Sequence, residues 1–355
     1  MNTPKTNGSG KLSGQTLFLA VSVVVSFSVL GYLLLADHGP AGGIRGQPPR
    51  AQVADPPLAA DGAAEGAVSA LRLADIPFDG SRAYGYLKQL CAIGPRRSGS
   101  PGMAAEQKLL AAHFQKFGGQ VEFQRFHVPH PVDGSDTPLA NLIVRWHTDR
   151  KERILFSAHY DTLPYPMRDP IDPRGVFVGA NDGGSGIAVL MELARSIDDL
   201  PTRYGVDFVF FDAEEFIFSE EGRFFLGSEY FARDYVNNPP PFRYRWGVLL
   251  DMVGGNELQL YQEYNSLGWK DTRPLVEEIW ATAARLVVKE FIPRGKHQVS
   301  DDHLALHNIA GIPTCDIIDF DYRPWHTRGD TVDNCSALSL AKTGWVLQEW
   351  LKGVR

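Results

Sequence analysis

Five short motifs in this sequence combine carboxylate and imidazole side chains, and nearly all of them follow directly after an apolar run. The motifs are HYDT with His159, GANDGGSG with Asp182, FFDAEE with Glu214 and Glu215, LLDMVG with Asp251, and PWHT with His326. Carboxylate oxygens and imidazole nitrogens bind Zn²⁺ well, and a catalytic zinc site keeps one position open for water or substrate. We therefore expect these motifs to converge on a catalytic zinc ion.

Taken singly, each motif is weak, since a histidine after a strand or a Glu-Glu pair in a loop usually has no catalytic role. Their joint placement changes this assessment, because carboxylates crowded at a buried edge repel one another and lose hydration. A divalent cation removes both costs. Adjacent Glu214 and Glu215 can then divide the work, with one as a ligand and the other handling protons.

The segments around the motifs alternate between strand and helix patterns. Strands are predicted at 139–146, 153–158, 206–211, 246–250 and 312–320, and helices at 104–117, 186–197 and 336–351. Short apolar strands alternating with helices indicate a single α/β domain with a mostly parallel central sheet flanked by helices. Ligands of open α/β sheets bind at the carboxyl ends of the strands, which is where these motifs fall.

Composition excludes several other classes of protein. The chain has 355 residues, of which 44% are hydrophobic and 22% charged, so it contains enough apolar material for a large core. A net charge of −7 argues against a nucleic-acid partner. Cys91, Cys315 and Cys335 form no Cys-x-x-Cys pair, which disfavours a thiolate zinc site and leaves open whether one disulfide forms.

The N-terminal part of the chain has a different composition from the rest. Residues 17–35 form an uncharged run long enough to span a bilayer as a signal anchor. Lysines in 1–16 predict that this end is cytoplasmic and that the catalytic domain lies in the periplasm or at the cell surface. The alternative is a cleaved signal peptide, which gives a secreted protein. The Ala/Gly/Pro-rich stretch 36–75 is predicted to be a flexible linker, followed by the catalytic domain at 76–355.

The motifs, in this order and at this spacing, resemble the M28 superfamily of zinc aminopeptidases and glutaminyl cyclases. The resemblance extends over about residues 80–355. It implies one of two chemistries on a shared scaffold. Two-zinc aminopeptidases hydrolyse N-terminal residues, whereas glutaminyl cyclases use one zinc to close an N-terminal glutamine into pyroglutamate with release of ammonia. Peptide or protein N-termini are the expected substrates in both cases.

Four features resemble the cyclase branch more closely. They are GPRRSGSPG (94–102), the long loop FIFSEEGRFFLGS (216–228) after Glu215, VSDDHLAL (299–306) with Asp301, and Trp325 directly before His326. Two features differ from that branch. GANDGGSG is more like the peptidase version of its turn, and the long loop lacks the tryptophan of animal cyclases, with Phe218 as its nearest aromatic residue. We favour cyclisation and keep aminopeptidase activity as the alternative.

Each alternative implies its own residue roles. The cyclase resemblance implies Asp182, Glu215 and His326 as ligands of one zinc, Glu214 as proton shuttle, Asp251 and Asp301 as a hydrogen-bonded acidic pair, and Trp325 at the substrate pocket, with Phe218 or Phe225 as further candidates there. The aminopeptidase resemblance adds a second zinc on His159 and Asp251, with Asp182 bridging, and Glu214 activating a water. A non-catalytic, receptor-like domain is disfavoured because no ligand position and neither glutamate is lost.

Overall fold

The structure is a computed structural model that describes residues 68–219 and 222–354. The predicted cytoplasmic segment 1–16, the predicted anchor 17–35 and most of the predicted linker 36–75 lie outside the described residues. Within the described ranges, no helix has both the length and the apolar character that a membrane span requires.

A six-stranded sheet in the order β1-β2-β4-β3-β5-β8 forms the centre of the fold. The strands are β1 (Gln120–Pro129), β2 (Asp136–Trp146), β3 (Glu152–His159), β4 (Gly205–Phe211), β5 (Arg243–Asp251), β6 (Leu260–Gln262), β7 (Phe291–Gly295) and β8 (Thr314–Ile318), of which β6 and β7 pair separately. The helices of the described ranges are α1 (Gly80–Ile93), α2 (Pro101–Lys116), α3 (Ser185–Leu193), α4 (Leu226–Asn237), α5 (Tyr264–Gly268), α6 (Arg273–Arg285), α7 (Asp302–Asn308) and α8 (Ala337–Gly353).

The predicted α/β class with a helix-flanked central sheet is confirmed, but the sheet is mixed. Strands β4, β3, β5 and β8 run parallel, whereas β1 and β2 pair antiparallel with each other, and β2 pairs antiparallel with β4. The connection between β1 and β2 is short, with the His130 N–H donating to the Ser135 carbonyl. Such a tight turn joins only antiparallel strands, since parallel ones need a long crossover.

Alternate side chains of the central strands pack on opposite faces of the sheet. On β4, Phe208 and Phe210 lie in the large core beneath α1, α3 and α8, while Val209 and Phe211 pack with Phe231 of α4 on the other face. Every residue of β4 is buried, as expected for a strand covered on both sides. Both faces of the sheet are therefore occupied, and its carboxyl edge remains for the site.

The predicted helices correspond to α2, α3 and α8. Helix α2 begins after Ser100, whose side chain accepts the Met103 N–H, and α8 begins after Ser336, which caps it in the same way. The predicted segment 186–197 is α-helical to Leu193 and continues as a 3₁₀ turn.

Residues that precede Ile76 already contact the folded domain. The backbone N–H and the hydroxyl of Ser69 both donate to the Glu290 carboxylate, which also accepts from Lys342 Nζ at 2.6 Å. The last residues of the predicted linker are thus held against the domain near helix α8.

Candidate metal centre

The carboxyl ends of the parallel strands deliver the side chains of the site. Strand β3 ends at His159, β5 ends at Asp251, and Glu214 and Glu215 follow the end of β4. Asp182 lies in the glycine-rich turn before α3, and His326 lies in the loop after β8. The structure brings these residues together at one edge of the sheet.

Asp182, Glu215 and His326 form a buried group whose possible ligand atoms all lie within 4.8 Å of one another. His326 Nε2 is 2.8 Å from Glu215 Oε1 and 3.6 Å from Asp182 Oδ2. Asp182 Oδ2 is buried and has no hydrogen-bond partner. Buried polar atoms are normally paired, so an oxygen left open beside an imidazole and a second carboxylate fits a metal ligand.

A second group shares Asp182 with the first. His159 Nε2 is 3.1 Å from Asp182 Oδ1 and 3.3 Å from Asp251 Oδ1, and the possible ligand atoms of these three residues also lie within 4.8 Å of one another. Asp182 therefore presents one oxygen to His159 and the other to His326. The candidate ligands of both the one-zinc and the two-zinc alternatives are assembled.

Glu214 lies beside these groups with 8% of its surface exposed. Its Oε2 is 3.7 Å from His159 Nδ1. Burial raises the pKa of Glu214 well above its usual value; the charge of Glu215 adds to this, and His159 opposes it. A buried carboxyl group with a raised pKa keeps a proton more readily than an exposed one, which suits a group that must both accept and donate a proton.

Asp251 and Asp301 lie close enough to influence each other electrostatically. Burial raises the pKa of Asp251 to about 7, with Asp182 and Asp301 adding to the shift and His159 opposing it. Asp301 caps helix α7 through Oδ1, which accepts the Asp302 N–H at 2.6 Å, while its buried Oδ2 has no partner. An open, buried oxygen is available to a protonated neighbour, and the hydrogen bond between Asp251 and Asp301 stays a prediction.

Two buried aspartates that the sequence did not single out for a role fix the backbone of the site. Asp161 accepts the backbone N–H groups of Glu214 and Glu215, each at 3.0 Å. Asp330 accepts those of Asn181 at 2.8 Å and Asp182 at 3.1 Å. The sequence signal for Asp161 was its place in the HYDT motif. The signal for Asp330 was only that it lies close to His326 in the sequence.

The glycine-rich turn that carries Asp182 is held from two further sides. Buried Arg96, from the segment GPRRSGSPG, donates to the carbonyls of Val178 and Gly179, each at 2.8 Å. Gly183 has φ 75°, and a Cβ there would lie 2.5 Å from the Asp161 carbonyl oxygen. Only glycine allows this turn to pass so close to the segment that follows strand β3.

Trp325 and Phe218 occupy different sides of the site. The half-buried Trp325 ring packs on His326 at 4.3 Å and on Phe320 at 4.8 Å between centroids. Phe218 contacts His130 at 4.8 Å. Phe225 instead begins helix α4 with φ 63° and packs on Phe224. Of the three aromatic residues predicted near the pocket, Trp325 is the one whose ring packs on a candidate ligand.

Comparison with known proteins gives concordant matches. The family model "Peptidase family M28" matches residues 141–351. A crystal structure of Fimbriiglobus ruber glutaminyl cyclase is 39% identical, with a TM-score of 0.75, over 79% of this chain and 96% of that one. A Zn-dependent exopeptidase structure from Parabacteroides distasonis is 31% identical, with a TM-score of 0.72, over 78% and 98%.

Two curated relatives represent the two chemistries. The glutaminyl-peptide cyclotransferase of Gloydius blomhoffii is 27% identical over 289 residues, which cover 71% of this chain and 76% of that protein. Aminopeptidase YwaD of Bacillus subtilis is 28% identical over 204 residues, which cover 54% of this chain but only 38% of that protein.

Proposed function

The chain belongs to peptidase family M28, and on that basis we propose that it is a zinc-dependent glutaminyl-peptide cyclotransferase. It converts the N-terminal glutamine of peptides or proteins to pyroglutamate and releases ammonia. The observation that carries this proposal is the placement of Glu214 among further acids. Glu214 and Asp251 approach the same His159 ring, at 3.7 Å and 3.3 Å, and the charge of Asp301 acts on both carboxyl groups. A proton-handling group of this kind suits transfer between an amine and a leaving ammonia.

Asp182, Glu215 and His326 are the proposed ligands of one zinc ion. Their oxygen and nitrogen donors suit zinc, and the unpartnered Asp182 oxygen supports this assignment. Bound zinc supplies a Lewis acid that polarises the γ-carbonyl of the glutamine. Glu215 is fixed from behind, because its Oε2 accepts the Leu163 N–H at 2.8 Å while Oε1 faces His326.

Glu214 moves the proton that the reaction requires. The α-amine nitrogen of the substrate attacks the γ-carbon, and the bond from that carbon to the amide nitrogen breaks. Glu214 accepts one proton from the attacking nitrogen and donates it to the departing nitrogen, which leaves as ammonia. Because the attack is intramolecular, holding the glutamine in a folded shape supplies much of the rate, up to about 7–11 kcal/mol for ideal geometries.

Asp251 and Asp301 support Glu214 in this proposal by sharing one proton. The burial that raises the pKa of both groups favours a pair with one negative charge over a pair with two. Trp325, packed on His326, borders the pocket and contacts the glutamine side chain.

Hydrolysis of N-terminal residues by a two-zinc site is the second candidate. The observation that favours it is the group formed by His159, Asp182 and Asp251, whose possible ligand atoms lie close enough to one another to hold a second ion. In that case Asp251 is a ligand rather than part of a proton-sharing pair, and Glu214 activates a water.

One experiment separates the two functions. The purified protein is given glutaminyl peptides and peptides with other N-terminal residues, and its zinc content is measured by mass spectrometry. The proposal expects pyroglutamyl product, ammonia and one zinc per chain. Two tightly held zinc ions with release of free amino acids would replace cyclisation by aminopeptidase activity.

We further propose that residues 17–35 anchor the enzyme in a membrane with its catalytic domain outside the cytoplasm. The uncharged run and the preceding lysines support this topology. Intact cells treated with an external protease test it, since the proposal expects the catalytic domain to be degraded while cytoplasmic proteins survive. Recovery of the protein in the culture medium instead would indicate cleavage.

A further inference from the structure

The loop from Leu163 to Arg168 is attached to two of the candidate ligands. Its first residue donates a backbone N–H to Glu215 Oε2 at 2.8 Å, and its last residue donates one to the His326 carbonyl at 3.0 Å. The residues between these two points therefore run along the edge of the candidate metal centre. The loop therefore provides a surface beside that centre for the residues that follow the first residue of a bound peptide.

A cavity of about 240 Å³ opens beside this loop. It is lined by Tyr165, Met167, Pro173, Arg174, Phe218 and Ser219. Tyr165 is two residues beyond Leu163, and Phe218 is three residues beyond Glu215. Both walls of the cavity thus begin at the candidate ligand Glu215, and the Tyr165 and Phe218 rings meet edge-to-face at 6.3 Å.

Two arginines pack on Tyr165, the aromatic wall of this cavity, and one of them, Arg174, also lines the cavity itself. The guanidinium groups of Arg97 and Arg174 lie 5.0 Å and 5.4 Å from the centre of the Tyr165 ring. Packing on an aromatic face orients a guanidinium group and leaves its N–H donors available. In the ranges 68–219 and 222–354, no carboxylate forms an ion pair with either group, and Arg97 Nε lacks a hydrogen-bond partner.

The acidic residues that directly follow this loop already have other partners. Asp169 and Asp172 lie 3.4 Å and 3.6 Å from the Arg328 guanidinium. Asp169 also accepts the N–H groups of Ile171 and Asp172. These two carboxylates therefore leave the charge of Arg97 and Arg174 available to a ligand, although the chain as a whole is acidic.

We propose that Arg97 and Arg174, together with Tyr165, form a subsite for a carboxylate side chain of the peptide substrate. The inference rests on the proposed function. Cyclisation uses only atoms of the first residue, so the second and third residues extend outwards over the cavity. An aspartate or glutamate there places its stem against the aromatic wall and its carboxylate on the guanidinium groups. The enzyme accordingly prefers glutaminyl peptides with an acidic second or third residue.

The expected preference is moderate because Arg174 is exposed to solvent and Arg97 is partly exposed. Two exposed ion pairs correspond to about a threefold to tenfold difference in kcat/KM. Salt screens such pairs, so the preference shrinks as ionic strength rises. A preference that came from shape alone would not respond to salt in this way.

The test compares three peptides that differ only in the second residue, namely Gln-Glu, Gln-Gln and Gln-Lys peptides of equal length. Pyroglutamate formation is measured with the wild-type protein and with the Arg174→Gln, Arg174→Glu and Arg97→Gln variants. Arg203→Gln is the matched control. Arg203 is also exposed and packs on a tyrosine, Tyr204, at 4.9 Å, but it lies before strand β4 at the opposite edge of the sheet.

The proposal expects the wild-type protein to favour the Gln-Glu peptide. Arg174→Gln and Arg97→Gln should reduce that preference, and Arg174→Glu should abolish or reverse it. Arg203→Gln should keep it. Equal rates on all three peptides, or a preference that survives Arg174→Glu and high salt, would overturn the subsite while leaving cyclisation intact. Absence of pyroglutamate from every peptide would overturn the proposed function, and the subsite with it.

Discussion

His159 Nε2 lies 3.1 Å from Asp182 Oδ1, so the imidazole approaches a carboxylate that also faces His326. In a one-zinc enzyme this contact orients a ligand, and in a two-zinc enzyme both residues bind the second ion. The same geometry therefore serves either chemistry, and zinc counting on a His159 variant distinguishes them.

We expect His159→Gln to keep the single zinc of the cyclase and to lower kcat about 10–100-fold, the usual effect of losing a residue that orients a ligand. The glutamine side chain retains an amide donor near Asp182 but cannot become positively charged. Zinc per chain, measured by mass spectrometry before and after the substitution, checks this. A fall from two ions to one would instead assign His159 to a second metal.

Glu214→Gln is expected to leave zinc bound and to reduce kcat by about 10²–10⁴-fold. Glutamine has the same shape as glutamate but cannot carry a proton between the two nitrogen atoms of the substrate. Single-turnover cyclisation and zinc content are measured on the same sample. Glu278→Gln, on the exposed face of helix α6, is the control. Near-normal turnover by Glu214→Gln would remove this residue from the mechanism.

The sequence predicted most of the candidate ligands because they follow apolar strands, and parallel strands bring their carboxyl ends together. It did not predict the positioning roles of Asp161 and Asp330. Asp161 accepts the N–H of Glu214, which is 53 residues away along the chain, and Asp330 accepts the N–H of Asp182, which is 148 residues away. Nothing in a local pattern marks such partners. The antiparallel pairing of β1 and β2 was missed for a related reason, since no strand was predicted at 120–129.

Asp330→Asn is expected to weaken zinc binding about 10–100-fold. Asp330 accepts two backbone N–H groups of the turn that carries Asp182, and an asparagine turns one acceptor into a donor that faces an N–H. Zinc affinity is measured by competition with a chelating dye. Tyr322→Phe is the control, because it removes only the hydroxyl that donates to Asp330 Oδ1 at 2.8 Å. Equal zinc affinities in both variants would contradict the positioning role of Asp330.

Zinc removal is expected to destabilise the folded protein. Asp182 and Glu215 are buried carboxylates that repel each other, and a bound cation offsets that repulsion. A ligand present at about 1,000 times its Kd adds roughly 4 kcal/mol to stability, which corresponds to a Tm change on the order of 10 °C. Thermal unfolding is recorded before chelation, after it and after zinc is restored. A Tm that does not respond to the metal would argue against a zinc site at these residues.

Glu290→Gln is expected to cost about 3 kcal/mol of unfolding free energy at pH 7, because it leaves the buried Lys342 ammonium without its partner. The wild-type advantage depends on pH. Burial alone raises the pKa of Glu290, but the hydrogen bonds from Lys342 and Ser69 outweigh it, and the net pKa is lowered. A carboxyl group with a lowered folded-state pKa stabilises fully above its unfolded pKa of about 4.3. That contribution is lost as the pH falls through the folded-state pKa. Urea unfolding of both proteins between pH 7 and pH 3 should therefore show the difference in unfolding free energy between them narrowing only at the acidic end.

The control is Ser69→Ala, which removes only a hydroxyl that donates to the same carboxylate and should cost about 1 kcal/mol of unfolding free energy. If Glu290→Gln cost no more than Ser69→Ala at pH 7, the ion pair between Glu290 and Lys342 would not stabilise the fold as expected.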